Sequence, residues 1–256
     1  MKGRKKNPAD RIVTLLSQVK EGRLVIPEDM VEILDGLFDR FNVIMHQQED
    51  AILHLVSIVV PGTVKRIGER AFSGCSNLEE ILLCDGVESI GRNAFTDCKK
   101  LKQIQLPASA KEIDGWAFYG SGLTQPVYSP DGKVLIYYPQ MSSNAEYSVP
   151  EGVEEIGVRA FNDVKQLKKV LLPRSLKRIR TMAFIECGFT EIALPKGVAI
   201  ENSAFSGFEH LIRFRFEEEL DVLEERMESS RISDIPFLAS CWMKLPKCAY
   251  WKEEDF

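Results

Sequence analysis

At 256 residues, 45% hydrophobic, the chain is long enough to bury a sizeable core, and its net charge of -5 argues against the basic surface a nucleic-acid partner requires. No stretch reaches the roughly 18 uninterrupted apolar residues of a membrane span. The basic start Met1-Lys2-Gly3-Arg4-Lys5-Lys6 is not followed by a signal-peptide apolar run, because Asp10 and Arg11 interrupt it, so the chain reads as soluble and cytoplasmic.

Residues 1–55 read as a helical N-terminal cap. Asn7-Pro8-Ala9-Asp10 is a helix start, with Asn as cap and Pro in the first turn. Ile12, Val13, Leu15, Leu16 and Val19 form a helical stripe that ends near Gly22. A second helix is expected from Pro27, carrying Met30, Val31, Ile33, Leu34, Leu37, Phe38 and Phe41. Such a pair would cover the open core of a first coil, or dock a partner or a second copy.

From 56 to 216 the dipeptide Ala-Phe keeps time. It ends at Phe72, Phe95, Phe118, Phe161, Phe184 and Phe205, and four of the five intervals are 23, 23, 23 and 21 residues. A period in the twenties marks a solenoid, whose units bury their apolar faces only against neighbours. Each unit closes on a hexad such as Leu78-Glu79-Glu80-Ile81-Leu82-Leu83, with the strand period of two, and a proline usually follows and ends the ladder. Apolar residues from Val64 to Cys75 recur three or four apart, as in a helical turn or short helix. Gly68, Gly91 and Gly157 suit a turn of positive φ, while Asp114 and Arg180 break that pattern. Cys75, Cys98 and Cys187 each follow an Ala-Phe pair by three residues and form one core column; Ser121, Val164 and Phe208 share it, which makes the column structural rather than metal-binding.

The remaining interval, 43 residues, holds an insertion at about 129–146, where Asp131-Gly132 predicts a tight hairpin. Residues 217–256 form a C-terminal cap: an acidic helix over Glu217–Glu228, then Phe237, Trp242, Tyr250 and Trp251 around Cys241 and Cys248, a cysteine pair that is half a zinc site at best.

The units resemble the BspA-type leucine-rich repeats, P-x-x-V-x-x-I-G-x-x-A-F-x-x-C-x-x-L-x-x-I-x-L, over residues 58–216, and Asp131-Gly132-Lys133-Val134-Leu135-Ile136-Tyr137-Tyr138-Pro139 resembles the segment that interrupts many such arrays. The resemblance implies an α/β solenoid, a right-handed leucine-rich-repeat coil with a parallel β-sheet on its concave face. It also implies repeats without catalysis, and the surface display found in many members would make an exported adhesin or effector acting on host proteins the alternative, by a non-classical route here.

In each hexad the third and fifth residues point away from the buried fourth and sixth. They place Glu80 and Leu82, Gln103 and Gln105, Gln125 and Val127, Lys169 and Leu171, Glu191 and Ala193, and Arg213 and Arg215 on the concave face, with Ser57 and Val59 as a further rung. Six rungs at ~4.8 Å make a strip of about 25–30 Å, mixed in charge, suited to a protein or peptide partner. His46, His54 and His210 stand in unrelated contexts, and no phosphate loop, dinucleotide fingerprint or metal spacing appears, so the expectation is a non-enzyme with no cofactor and no metal.

Overall fold

The computed structural model describes residues 8–45, 52–206 and 213–216, which wind into a parallel β-solenoid. It begins with helix α1 (Pro8–Leu16), whose Ile12, Leu15 and Leu16 are buried. Strands β1 (Arg23–Val25) and β2 (Glu32–Ile33) follow, then helix α2 (Arg40–Met45).

Each coil then supplies two strands to two separate ladders. The hexads form β3 (Ser57–Val60), β5 (Glu80–Leu83), β12 (Lys169–Leu171), β14 (Glu191–Leu194) and β16 (Arg213–Phe216). Two-residue strands ahead of the phenylalanine form β4 (Arg66–Ile67), β6 (Ser89–Ile90), β7 (Glu112–Ile113), β11 (Glu155–Ile156), β13 (Arg178–Ile179) and β15 (Ala199–Ile200). The insertion contributes β8 (Val127–Tyr128), β9 (Val134–Tyr137) and β10 (Glu146–Ser148). The hexads form strands because alternate residues are apolar: β5 reads exposed, buried, exposed, buried.

The Ala-Phe pair makes a third seam. The N–H groups of Phe38, Phe72 and Phe95 donate to the carbonyls of Ala71, Ala94 and Ala117 at 2.7, 2.8 and 2.7 Å, each one coil ahead. Tyr138, Phe161 and Phe184 do the same to Ala160, Ala183 and Ala204. The phenylalanine carbonyls take the opposite direction: Cys75, Cys98 and Cys187 thiols donate back to Phe38, Phe72 and Phe161 at 3.5, 3.2 and 2.9 Å. A cysteine at this slot thus fills a small apolar space and satisfies a buried carbonyl. The rings stack inside this seam, with centroids 5.2, 5.4 and 5.8 Å apart from Phe38 through Phe72 and Phe95 to Phe118.

Three expectations are corrected. The second N-terminal helix does not form over Pro27–Phe41. That segment is a coil without an Ala-Phe pair: Leu24 lies opposite Ile58, Ile33 opposite Ile67, and Phe38 opens the stack. Its three-and-four spacing is that of the repeat itself, whose stretch from Val64 to Cys75 is a chain of turns, with Ala71, Ser73 and Cys75 N–H donating to the carbonyls three residues earlier, rather than a helix. Gly68, Gly91 and Gly157 are not the positive-φ positions; Arg70, Asn93 and Arg159, two residues on, are, at 55, 57 and 58°. Glycine is needed because the coils touch: a Cβ on Gly68 would lie 2.6 Å from the Asp35 nitrogen, and one on Gly91 2.8 Å from that of Glu69.

The insertion hairpin forms as expected. β8 and β9 run antiparallel, Gly132 has φ 72°, and Asp131 Oδ1 accepts from the Ser129 hydroxyl at 2.6 Å and the Lys133 N–H at 3.1 Å. The Ser129 hydroxyl and, second, the Lys133 N–H hold the Asp131 carboxyl below its ordinary value. Beyond the hairpin the insertion completes a coil of its own, with Tyr138 stacked 5.0 Å from Phe161. Tyr137 belongs to the core that starts at Ile12, whereas Tyr138 belongs to the core that runs to Phe205. The ring stack breaks between them, and Phe118 meets Tyr137 tilted by 57°.

The expected acidic helix, the aromatic tail, Cys241, Cys248, His46, His210 and Phe208 lie outside the described residues.

Candidate functional site

The outward residues of the hexad ladder line up by register. Ser57 lies opposite Glu80 and Val59 opposite Leu82; Lys169 lies opposite Glu146 and Leu171 opposite Ser148; Glu191 lies opposite Arg213 and Ala193 opposite Arg215. Leu82 and Leu171 are 53% and 46% exposed although they are strand residues. Lys169 Nζ sits 3.5 Å from Glu146 Oε2 across the strands, an exposed pair of small energetic weight.

The strip is not continuous. Leu82 pairs with Gln105 through a single bridge, and Gln103 and Gln105 are exposed there without a full strand. Gln125 is exposed, but Val127 is not a surface residue: it is 6% exposed, joins β8 and pairs with Tyr137 in the other ladder. Pro126 occupies the slot where the other hexads place a buried ladder residue, and it has no N–H to give the ladder. The candidate strip therefore divides into a block from β1 to Gln105 and two further strand pairs, β10 with β12 and β14 with β16. Arg213 and Arg215 are placed in β16 by their backbone pairing to β14.

One rung escaped sequence reasoning, and a second, that of the insertion, was not assigned its residues by it. Val25 on β1 lies opposite Val59 and is 53% exposed; Glu146 and Ser148 on β10 lie beside β12. The signal was present in the proline that follows most hexads, here Pro27 after Ile26 and Pro150 after Val149.

The chemistry of the buried groups is passive. Burial, the largest cause in each case, pushes the thiols of Cys75, Cys98 and Cys187 well above the ordinary cysteine range, which favours the protonated form. Among the described residues no group of three His, Cys, Asp or Glu side chains could hold a metal ion, and no helix is long and apolar enough to cross a membrane.

Comparison with known proteins agrees with this architecture. The model of the BspA type leucine rich repeat region matches in six copies, over residues 51–134 and 137–251. The solved leucine-rich repeat protein of T. pallidum is 26% identical, with 81% of this chain and 82% of that one covered, at a TM-score of 0.44. The pneumococcal vaccine antigen PcpA is 21% identical, with 78% of this chain and 63% of that one covered, at a TM-score of 0.50, and shares the fold. A leucine-rich repeat protein from Bacteroides ovatus is 24% identical, with 76% and 59% covered, at a TM-score of 0.46. No curated protein matches the chain. With more than half of its length matched to the repeat model, the chain belongs to the BspA-type leucine-rich-repeat family.

Proposed function

We propose that the chain is a non-catalytic interaction module that binds a protein or peptide on the outward strip of its hexad ladder, which we take as the concave face. The observation that supports this most is the exposure of Leu82 and Leu171 on regular strands, each flanked by charged neighbours, Glu80 and Lys169. An apolar centre with a polar rim is the composition of a protein interface. A rigid ladder also presents these groups without ordering cost on binding.

The test is affinity capture with the full chain as bait. One variant carries Glu80→Lys with Arg213→Glu, and a second carries Leu82→Arg with Leu171→Arg. Capture of a partner by the parent chain and its loss in both variants, with unchanged melting temperature, is the expected result. Equal capture by all three would overturn the reading.

A further inference from the structure

The short-strand ladder has one gap, and it falls at the joint between the two cores. Everywhere else in that ladder, carbonyls two residues apart accept from the next coil. Glu88 takes the N–H groups of Lys111 and Glu112, and Ile90 takes that of Asp114; Glu154 takes those of Lys177 and Arg178, and Ile156 that of Arg180. The equivalent carbonyls on β7, those of Lys111 and Ile113, receive no backbone N–H among the described residues, because β7 pairs with β6 alone. The following coil does not need them. Its Lys133 and Val134 N–H groups are taken by Asp131 Oδ1 and Ser129 Oγ of its own hairpin, at 3.1 and 2.9 Å.

A depression of about 780 Å³ lies over this edge, lined on one side by Arg92, Lys111 and Glu112 and on the other by Ser129 and Val134. The lining also holds Asp114 and Glu155, and Glu155 is paired with Arg180 at 2.8 Å. Arg92 and Arg159 flank one indole, their guanidinium carbons 5.0 and 4.5 Å from the Trp116 ring centre. Neither they nor Lys111 has a carboxylate within ion-pair distance among the described residues. Burial, then the charge of Arg92, lowers the Arg159 pKa, with Asp114 acting in the opposite sense. Asp114 itself is engaged by the Trp116 N–H at 2.8 Å, and Glu112 is exposed.

We propose that this gap is a second binding site, which takes an extended protein segment that adds to the edge of β7 and carries a carboxylate toward Arg92 and Lys111. Two free carbonyls spaced i and i+2 are the acceptors that a strand added to a sheet edge uses. The Arg92 guanidinium and the Lys111 ammonium supply charge-assisted donors for the acidic side chain. The site is separate from the hexad strip, on a different ladder of the coil.

The test is a display selection of random octapeptides on the full-length chain, followed by titration of the synthetic winners. The expected winners carry an acidic residue within a β-branched run. Their Kd weakens about tenfold or more on Arg92→Glu and on Lys111→Glu, and on N-methylation of the peptide backbone, since each removes a charge-assisted or backbone hydrogen bond. Leu82→Arg with Leu171→Arg leaves them unaffected. Winners that survive Arg92→Glu and N-methylation but are lost in the Leu82→Arg, Leu171→Arg variant would overturn the gap site and support the hexad strip instead. Saturable binding of inorganic phosphate alone, with the same Arg92 dependence and no peptide enrichment, would also overturn it.

Discussion

The thiol of Cys187 lies 2.9 Å from the carbonyl oxygen of Phe161, one coil earlier. Cys98 and Cys75 repeat the relationship toward Phe72 and Phe38, so a residue type that invites a redox reading serves as a hydrogen-bonding spacer. Cys84, half exposed, stands outside the column.

Thiol titration separates the two kinds. With Cys241 and Cys248 replaced by serine, one thiol per chain, Cys84, should react promptly with Ellman's reagent at pH 8. Cys75, Cys98 and Cys187 should react only on unfolding. The sign of the linkage follows: their folded pKa values are raised by burial, so the unfolded chain loses these protons first and stability falls as the pH rises past the ordinary thiol value of about 8.5. Prompt reaction of more than one thiol in the native protein would refute the assignment.

The ring stack should carry a measurable share of stability. Phe95 is fully buried between Phe72 and Phe118. Phe95→Ala is expected to cost about 3–5 kcal/mol in urea denaturation, from lost transfer energy and the cavity left behind. A cost under about 1 kcal/mol would mean that the seam relaxes around the gap, contrary to close packing.

Two glycines should fail for different reasons. A Cβ on Gly188 would lie 1.7 Å from the Lys165 carbonyl oxygen, a backbone atom that cannot swing aside. Gly152 has open space but a φ of 95°. Gly152→Ala should cost about 1–2 kcal/mol of backbone strain, and Gly188→Ala should cost more, since coils must separate to admit it. Thermal melts of the two variants give the order directly, and the reverse order would refute the contact.

Glu154 bridges Lys177 at 2.9 Å and Lys133 at 3.3 Å. The Lys177 hydrogen bond, followed by that of Lys133, lowers its pKa. The pair's stabilisation is present above the unfolded glutamate value of about 4.3 and is lost as pH falls through the lower folded value. Glu154→Gln should therefore lower the melting temperature slightly at pH 7 and leave it unchanged in strong acid. A difference that persists at low pH would point to packing instead.

Much of the coil was legible because its demands are periodic. Ile67 and Phe72 each meet an equivalent residue one coil away, and Cys75 and Cys98 meet equivalent carbonyls, so a spacing in one dimension reports a contact in three. The N-terminal coil was missed because Leu37-Phe38 lacks the alanine and because a turn and a helix share the three-and-four spacing of Met30, Ile33 and Leu37. Val127 was misplaced for a related reason: the hexad rule assumes a ladder partner one coil away, and the hairpin supplied a different partner, Tyr137. Arg92 and Arg159 are 67 positions apart in sequence (159 − 92), and nothing in the repeat phase predicts that they meet over Trp116.

The seam of amides and thiols also has a bearing on how such a chain can change length. Phe38, Phe72 and Phe161 each look forward through the N–H to an alanine carbonyl and receive a thiol on their own carbonyl, so these units offer the same two plugs to the coil beside them. Removal of one whole period, residues 84–106, would bring Leu83 to Pro107 and Phe72 against the Ala117 carbonyl, with Ser121 in the slot of the lost Cys98. A shorter step keeps the seam as well: over the 21-residue interval Phe184 still donates to the Ala204 carbonyl and stacks on Phe205. Length in this architecture can drift by whole turns, or by a residue or two where a turn tightens, while the column of rings is held.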